Sequence, residues 1–172
     1  MCRPFALRLM ALFALLYPAA AQAAAPVGAA TPARGAVEIL DPSTFIMLME
    51  LDFGLLTATG AGTAILDSAT DAVTTTGGVL FVGGSPHAAR FMAVSPARNV
   101  VKISLPKQAI TLTRIGGTET MRLDTWSING ATTRNVVARE QFEFRVAGTL
   151  HVNANQAEGV YLGTFEVTIN YN

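Results

Sequence analysis

The 172 residues suffice for one domain of ordinary size and are too few for two. Twelve basic and twelve acidic side chains are scattered in both signs, which excludes the basic patch of a nucleic-acid binder and the charged block of a protein held on an anionic membrane. The one cysteine, Cys2, excludes a disulfide framework.

The N-terminus reads as a secretory signal. Arg3 and Arg8 give a positive start, Leu9 to Leu16 is an unbroken apolar run, and Tyr17 and Pro18 end it. Ala21-Gln22-Ala23 supplies the small residues of a cleavage site, so residues 1–23 are expected to be removed. The run falls well short of the roughly 20 residues that a membrane helix needs, and no later run reaches that length. No integral membrane segment is therefore expected after signal removal. Cys2 leaves with the signal, so an oxidising compartment would receive a chain without cysteine. Losing Arg3 and Arg8 leaves ten basic side chains against twelve acidic, a net charge of −2. The expected location is the periplasm, then the cell surface or extracellular space.

Residues 24–36 are mostly Ala, Pro, Gly and Thr and lack the apolar area to order themselves, which predicts a flexible leader. Pro26, Pro32 and Pro42 argue against helix there. From residue 37 to 172 the side chains alternate with the period of a strand. Phe45, Met47, Met49, Leu51 and Phe53 form one apolar face, expected to point to the core. Gly62–Leu66, Val79–Val82, Arg90–Val94, Val100–Leu105, Ile110–Ile115 and Met121–Trp126 follow as strand candidates. Phe142, Phe144 and Val146 alternate with Glu143 and Arg145, and Ala147-Gly148 predicts a bend or bulge before Leu150 and Val152. Asn153 to Gly159 is a polar turn, and Tyr161 to Tyr171 reads as one final strand. Eight or nine short strands between Gly, Asn, Ser and Pro turns predict an all-β, immunoglobulin-like or pilin-like antiparallel β-sandwich.

Little in this chain has the pattern of a reactive site. His87 and His151 lie far apart, and without cysteine a zinc site would need unmarked carboxylates. Alternation places His151 on an outward, solvated position. Asp67 to Asp71 lacks the ligand spacing of a calcium loop and reads as turn chemistry. Gly60-Ala61-Gly62 leads into a β-like run and not a helix, so it reads as a hairpin turn and not a phosphate loop. No G-x-S-x-G elbow occurs. Trp126 is either a sugar-stacking platform or core, with core the better account of a lone Trp in a sandwich. No catalytic residue, metal or cofactor is expected.

The tail carries a pattern of its own. Tyr171 is penultimate, Ile169, Val167 and Phe165 alternate before it, and Gly159 stands fourteenth from the end. This resembles the C-terminal signature of chaperone–usher pilins. In those proteins the sandwich lacks a strand, which a periplasmic chaperone and then a neighbouring subunit's N-terminal extension supply. The resemblance implies an incomplete sandwich edge at Gly159, Phe165, Val167, Ile169 and Tyr171. The donor segment would be the leader, with Val27 and Ala29, or with Val37 and Ile39 where the first strand begins near Thr44. Pro26 and Pro32 remove ladder donors from that leader.

Leu51-Asp52-Phe53-Gly54, Ala89-Arg90-Phe91, Ile103-Ser104-Leu105-Pro106, Gly148-Thr149-Leu150 and the run Gly159–Asn172 resemble the family called domain of unknown function 4402. That family is similar in layout to spore-coat-U-like and other pilin-like secreted domains. The leading expectation is therefore a non-enzymatic structural subunit of a surface fibre or fimbria, assembling by strand addition. Its expected partners are a periplasmic chaperone and neighbouring copies of itself. A self-contained extracellular binding or coat module, for carbohydrate or another surface ligand, is the second reading. A periplasmic hydrolase is a third, for which the sequence offers no nucleophile–base pair.

Overall fold

The computed structural model describes residues 45–172. Eleven strands and no helix are found among them: β1 (Phe45–Met49), β2 (Leu55–Leu66), β3 (Val73–Gly83), β4 (Ala89–Val94), β5 (Asn99–Ser104), β6 (Ile110–Arg114), β7 (Thr120–Ile128), β8 (Thr133–Val136), β9 (Gln141–Val152), β10 (Tyr161–Leu162) and β11 (Thr168–Tyr171). Every strand pairing is antiparallel, and the architecture is consistent with a β-sandwich.

β9 is the hub. On one side its first half pairs with β4 over Gln141–Val146, and its second half pairs with β2 over Thr149–Val152. On the other side β7 runs along it. The large sheet has the order β1-β4-β9-β7-β6-β10, with the β2–β3 ribbon attached to β9. A second, three-stranded sheet has the order β11-β5-β8.

Side-chain alternation on these strands builds two cores. The first gathers Phe53, Ala64, Leu66, Val79, Ala88, Leu123, Ala147, Leu150 and Val152. Leu56, Ala58 and Val73 also pack against it, so both halves of the β2–β3 ribbon face one core. The ribbon curls to achieve this. Its register shifts between Ala58 and Gly62, where Gly62 lies against the Thr76 carbonyl and Gly78 against the Gly60 backbone. A side chain at either glycine would collide with the partner strand's backbone. The second core joins Phe91, Val101, Ile103, Val136, Phe144 and Val146 between the two sheets. Phe91 and Phe144 stack there at 5.1 Å.

Several expectations need correction. Gly60-Ala61-Gly62 is not a turn: it lies inside β2, and the ribbon turns at residues 67–72. There Asp67 Oδ1 accepts from the Ala69 and Thr70 amides and the Thr70 hydroxyl, closing the turn by side-chain chemistry. The irregularity expected at Ala147-Gly148 is displaced to the facing strand. β9 runs unbroken, and β7 carries the extra residue between Asp124 and Ser127. Gly148 makes room for it, since a Cβ there would meet the Asp124 carbonyl oxygen at 2.9 Å. Tyr161 to Tyr171 is not one strand. β10 pairs with β6 in the large sheet, β11 pairs with β5 in the small one, and residues 163–167 cross between them. The expected core-directed face of β1 is also incomplete, because Met47 and Met49 are exposed.

Candidate functional site

The crossing segment and β11 hold the candidate edge residues. Phe165, Val167, Ile169 and Tyr171 alternate with exposed Thr164, Glu166, Thr168 and Asn170, and all four pack against the second core. Register places Ile169 beside Ile103 and Tyr171 beside Val101, both of the latter buried. The Phe165 ring lies 4.7 Å from that of Trp126. The Tyr171 hydroxyl donates to the Val94 carbonyl at 3.2 Å, tying β11 across to the large sheet. Burial pushes the Tyr171 phenol pKa up.

None of these four side chains is fully covered; each is half-buried. Among the described residues β11 hydrogen-bonds to β5 alone, so its other edge carries no strand. β1 is likewise paired only with β4. Met47 stands opposite Phe91, which is buried, yet Met47 itself is 54% exposed. The second core is thus incompletely sealed at β1 and at β11. Beside the crossing segment lies a groove of about 510 Å³ lined by Leu105, Pro106, Ile110 and Phe165 together with Lys107 and Glu166.

Gly159 occupies a backbone region that favours glycine, at φ +147°, and a Cβ there would meet Arg114 Cδ at 2.8 Å. Arg114 is engaged by Glu119, whose pKa is lowered to about 2, first by that side-chain hydrogen bond. The possible donor positions Val27, Ala29, Val37 and Ile39 lie outside the described residues.

The remaining polar constellations are engaged within the fold, with Arg90 Nε and Arg145 Nε buried without a partner among the described residues. Asp71 accepts from the Ala88 amide and pairs with Arg145. Burial pushes its carboxyl up, but the amide and the guanidinium outweigh it and leave the pKa lowered. His87 Nδ1 donates to the Glu50 carbonyl at 2.8 Å. Trp126 packs against both cores, and its indole N–H donates to the Gln108 carbonyl. The ring is therefore committed within the fold. His151 points outward and is not merely solvated: its Nε2 donates to Asp124 at 2.8 Å, and this bond is the first cause of a lowered Asp124 pKa. Sequence reasoning missed that pair, because nothing local marks β7 and β9 as neighbours. Among the described residues no group of three or more His, Cys, Asp or Glu converges as metal ligands do.

A shallow polar cleft of about 310 Å³ lies where the β6–β7 turn meets the loop after β9. Thr118, Glu119, Thr120, Asn153, Asn155 and Gln156 line it.

A family model described as domain of unknown function (DUF4402) matches residues 45–171. The chain belongs to that family. Comparison with curated proteins and with solved structures gave no match.

Proposed function

We propose that this family member is an exported, non-enzymatic structural subunit of a surface fibre, joined to its neighbours by strand addition at the open edge of β11. The observation that carries this reading is the half-buried apolar row Phe165, Val167, Ile169 and Tyr171 beside an edge with no strand among the described residues. An unpaired edge over an unsealed core is an aggregation hazard unless something covers it. A strand laid there would satisfy the backbone groups and bury the row at once. In this reading a periplasmic chaperone covers the edge first, and the leader of a neighbouring copy replaces it.

The test is size-exclusion chromatography with thermal melting of the chain from Ala24, with and without an equimolar peptide of residues 24–42. The expected result is an unstable or oligomeric chain whose melting temperature the peptide raises by about 10 °C, on the order of 3 kcal/mol for a domain of this size. A stable monomer indifferent to the peptide would overturn strand donation by this leader. The second reading would then lead: a self-contained module that binds a hydroxyl-rich ligand such as a saccharide. The polar cleft between Thr118–Thr120 and Asn153–Gln156 favours it, since amides, hydroxyls and a carboxylate are the groups such a ligand requires.

A further inference from the structure

Sulfur is unevenly placed in this fold. The described residues contain four methionines and no cysteine, and two of the four, Met47 and Met49, stand on the five residues of β1. Both are exposed, Met47 at 54% and Met49 at 37%, whereas Met92 and Met121 are half-buried.

Register gives the two exposed thioethers different surroundings. Met47 pairs with Phe91 and Met49 with Arg90, and Leu48 between them has no register partner. Side chains of facing residues lie on the same side of a sheet, with Cβ atoms about 4.5–5.5 Å apart. Phe91 is buried in the second core, so Met47 is on the core side of β1, at the unsealed margin. Its neighbours there are the rings of Phe45, Phe91 and Phe144, which offer no hydrogen-bond donor. Arg90 alternates with Phe91 along β4 and belongs to the outer face. Met49 therefore stands opposite a guanidinium side chain on the solvent side.

An exposed thioether is open to peroxides, and no thiol among the described residues competes for them. The sulfur lone pair attacks one peroxide oxygen and the O–O bond breaks. The sulfur loses two electrons and keeps that oxygen as a sulfoxide, while the other oxygen takes the proton and leaves as water. The product is polar and accepts hydrogen bonds. At Met49 the new oxygen meets water and the Arg90 side chain, both of which donate. At Met47 it meets aromatic carbon, and a polar group placed there without a partner is costly.

We propose that β1 is an oxidation site in which a peroxide converts Met47 and Met49 to sulfoxides, and that the sulfoxide at Met47 loosens β1 from the second core while the one at Met49 is tolerated. This response is independent of strand addition at β11.

The test exposes the full chain carrying Cys2→Ser to millimolar hydrogen peroxide and locates the added oxygen by mass spectrometry of tryptic peptides. Met47 and Met49 are expected to oxidise about fivefold faster than Met92 and Met121, following their exposure. The melting temperature of the oxidised chain is expected to fall by about 3–5 °C. Met47→Leu nearly conserves volume, so it keeps the fold and should remove most of that fall, whereas Met49→Leu should leave it in place. Equal oxidation at all four methionines would sink the proposal, as would a fall that Met47→Leu does not reduce or that the two leucine variants reduce alike.

Discussion

The two cores are closed by different means. The first is closed by a piece of the same sheet: the β2–β3 ribbon curls at its glycines, so that Leu56, Ala58 and Val79 lie over Leu66, Leu123 and Leu150. The second is closed by a separate sheet whose end strand, β11, has four residues and one hydrogen-bonded neighbour. A ribbon continuous with its own sheet leaves few places for a gap. A short sheet laid across the opening leaves its margins exposed, and Met47 and the Phe165–Tyr171 row lie at those margins. The difference teaches where a partner strand has something to gain.

The comparison can be broken most sharply at the curl. Gly62→Val places a branched side chain against the Thr76 carbonyl. It is expected to cost about 4 kcal/mol or to prevent folding, as read by urea denaturation. A cost under about 1 kcal/mol would mean that the ribbon closes the first core without needing that close approach. Next comes Leu66→Ala, a deletion in the sealed core at a side chain 1% exposed, expected to cost about 3 kcal/mol whether or not a donor peptide is present. Ile169→Ala in the unsealed core is expected to cost less, about 1–2 kcal/mol in the isolated chain, since the side chain is only partly buried. With the peptide of residues 24–42 bound, that cost should rise towards the value at Leu66. Equal costs with and without peptide would show that the second core gains no cover there.

The smallest expected effect is electrostatic and belongs to two aspartates whose partners, Arg145 and His151, stand on the hub strand. Asp71, held by the Ala88 amide and Arg145, and Asp124, held by His151, both have lowered folded pKa values. Their contribution is present above the ordinary aspartate pKa of about 3.9 and is lost as pH falls through the lowered folded values. Asp71→Asn should therefore lower stability at neutral pH, by less than the core deletions do, and the difference from the parent chain should vanish as pH falls through the acid limb, which it flattens. A variant whose acid limb matched the parent chain would remove Asp71 from that account.

Much of the fold was legible because alternation survives wherever one face of a strand is buried. Val101 and Ile103, and Phe144 and Val146, are read correctly from sequence and lie in the second core. β8 was missed because Thr133-Arg134-Asn135-Val136 offers one apolar residue, and its pairing with β5 supplies what its own pattern lacks. The glycines at 60 and 62 misled because local rules assign glycine to turns, whereas here close approach of two backbones demands it. The tail misled for a related reason. Phe165 to Tyr171 keeps strict alternation across a segment that leaves one sheet for another, and alternation reports burial, not pairing. The Asp124–His151 bond and the bulge beside it depend on contacts between distant strands, which no local pattern encodes.

β9 pairs with β2, β4 and β7, and both cores draw on it. Its partners on the N-terminal side must wait some fifty to ninety positions along the chain for it to arrive, a topology rich in non-local contacts that folds slowly. A chain that emerges N-terminus first therefore has no place to bury Leu66 or Phe91 until Gln141–Val152 has followed. During that interval the β2–β3 ribbon, whose strands carry no charged side chain, is among the parts already made. The order of synthesis sets a period in which this molecule most needs to be kept from its neighbours.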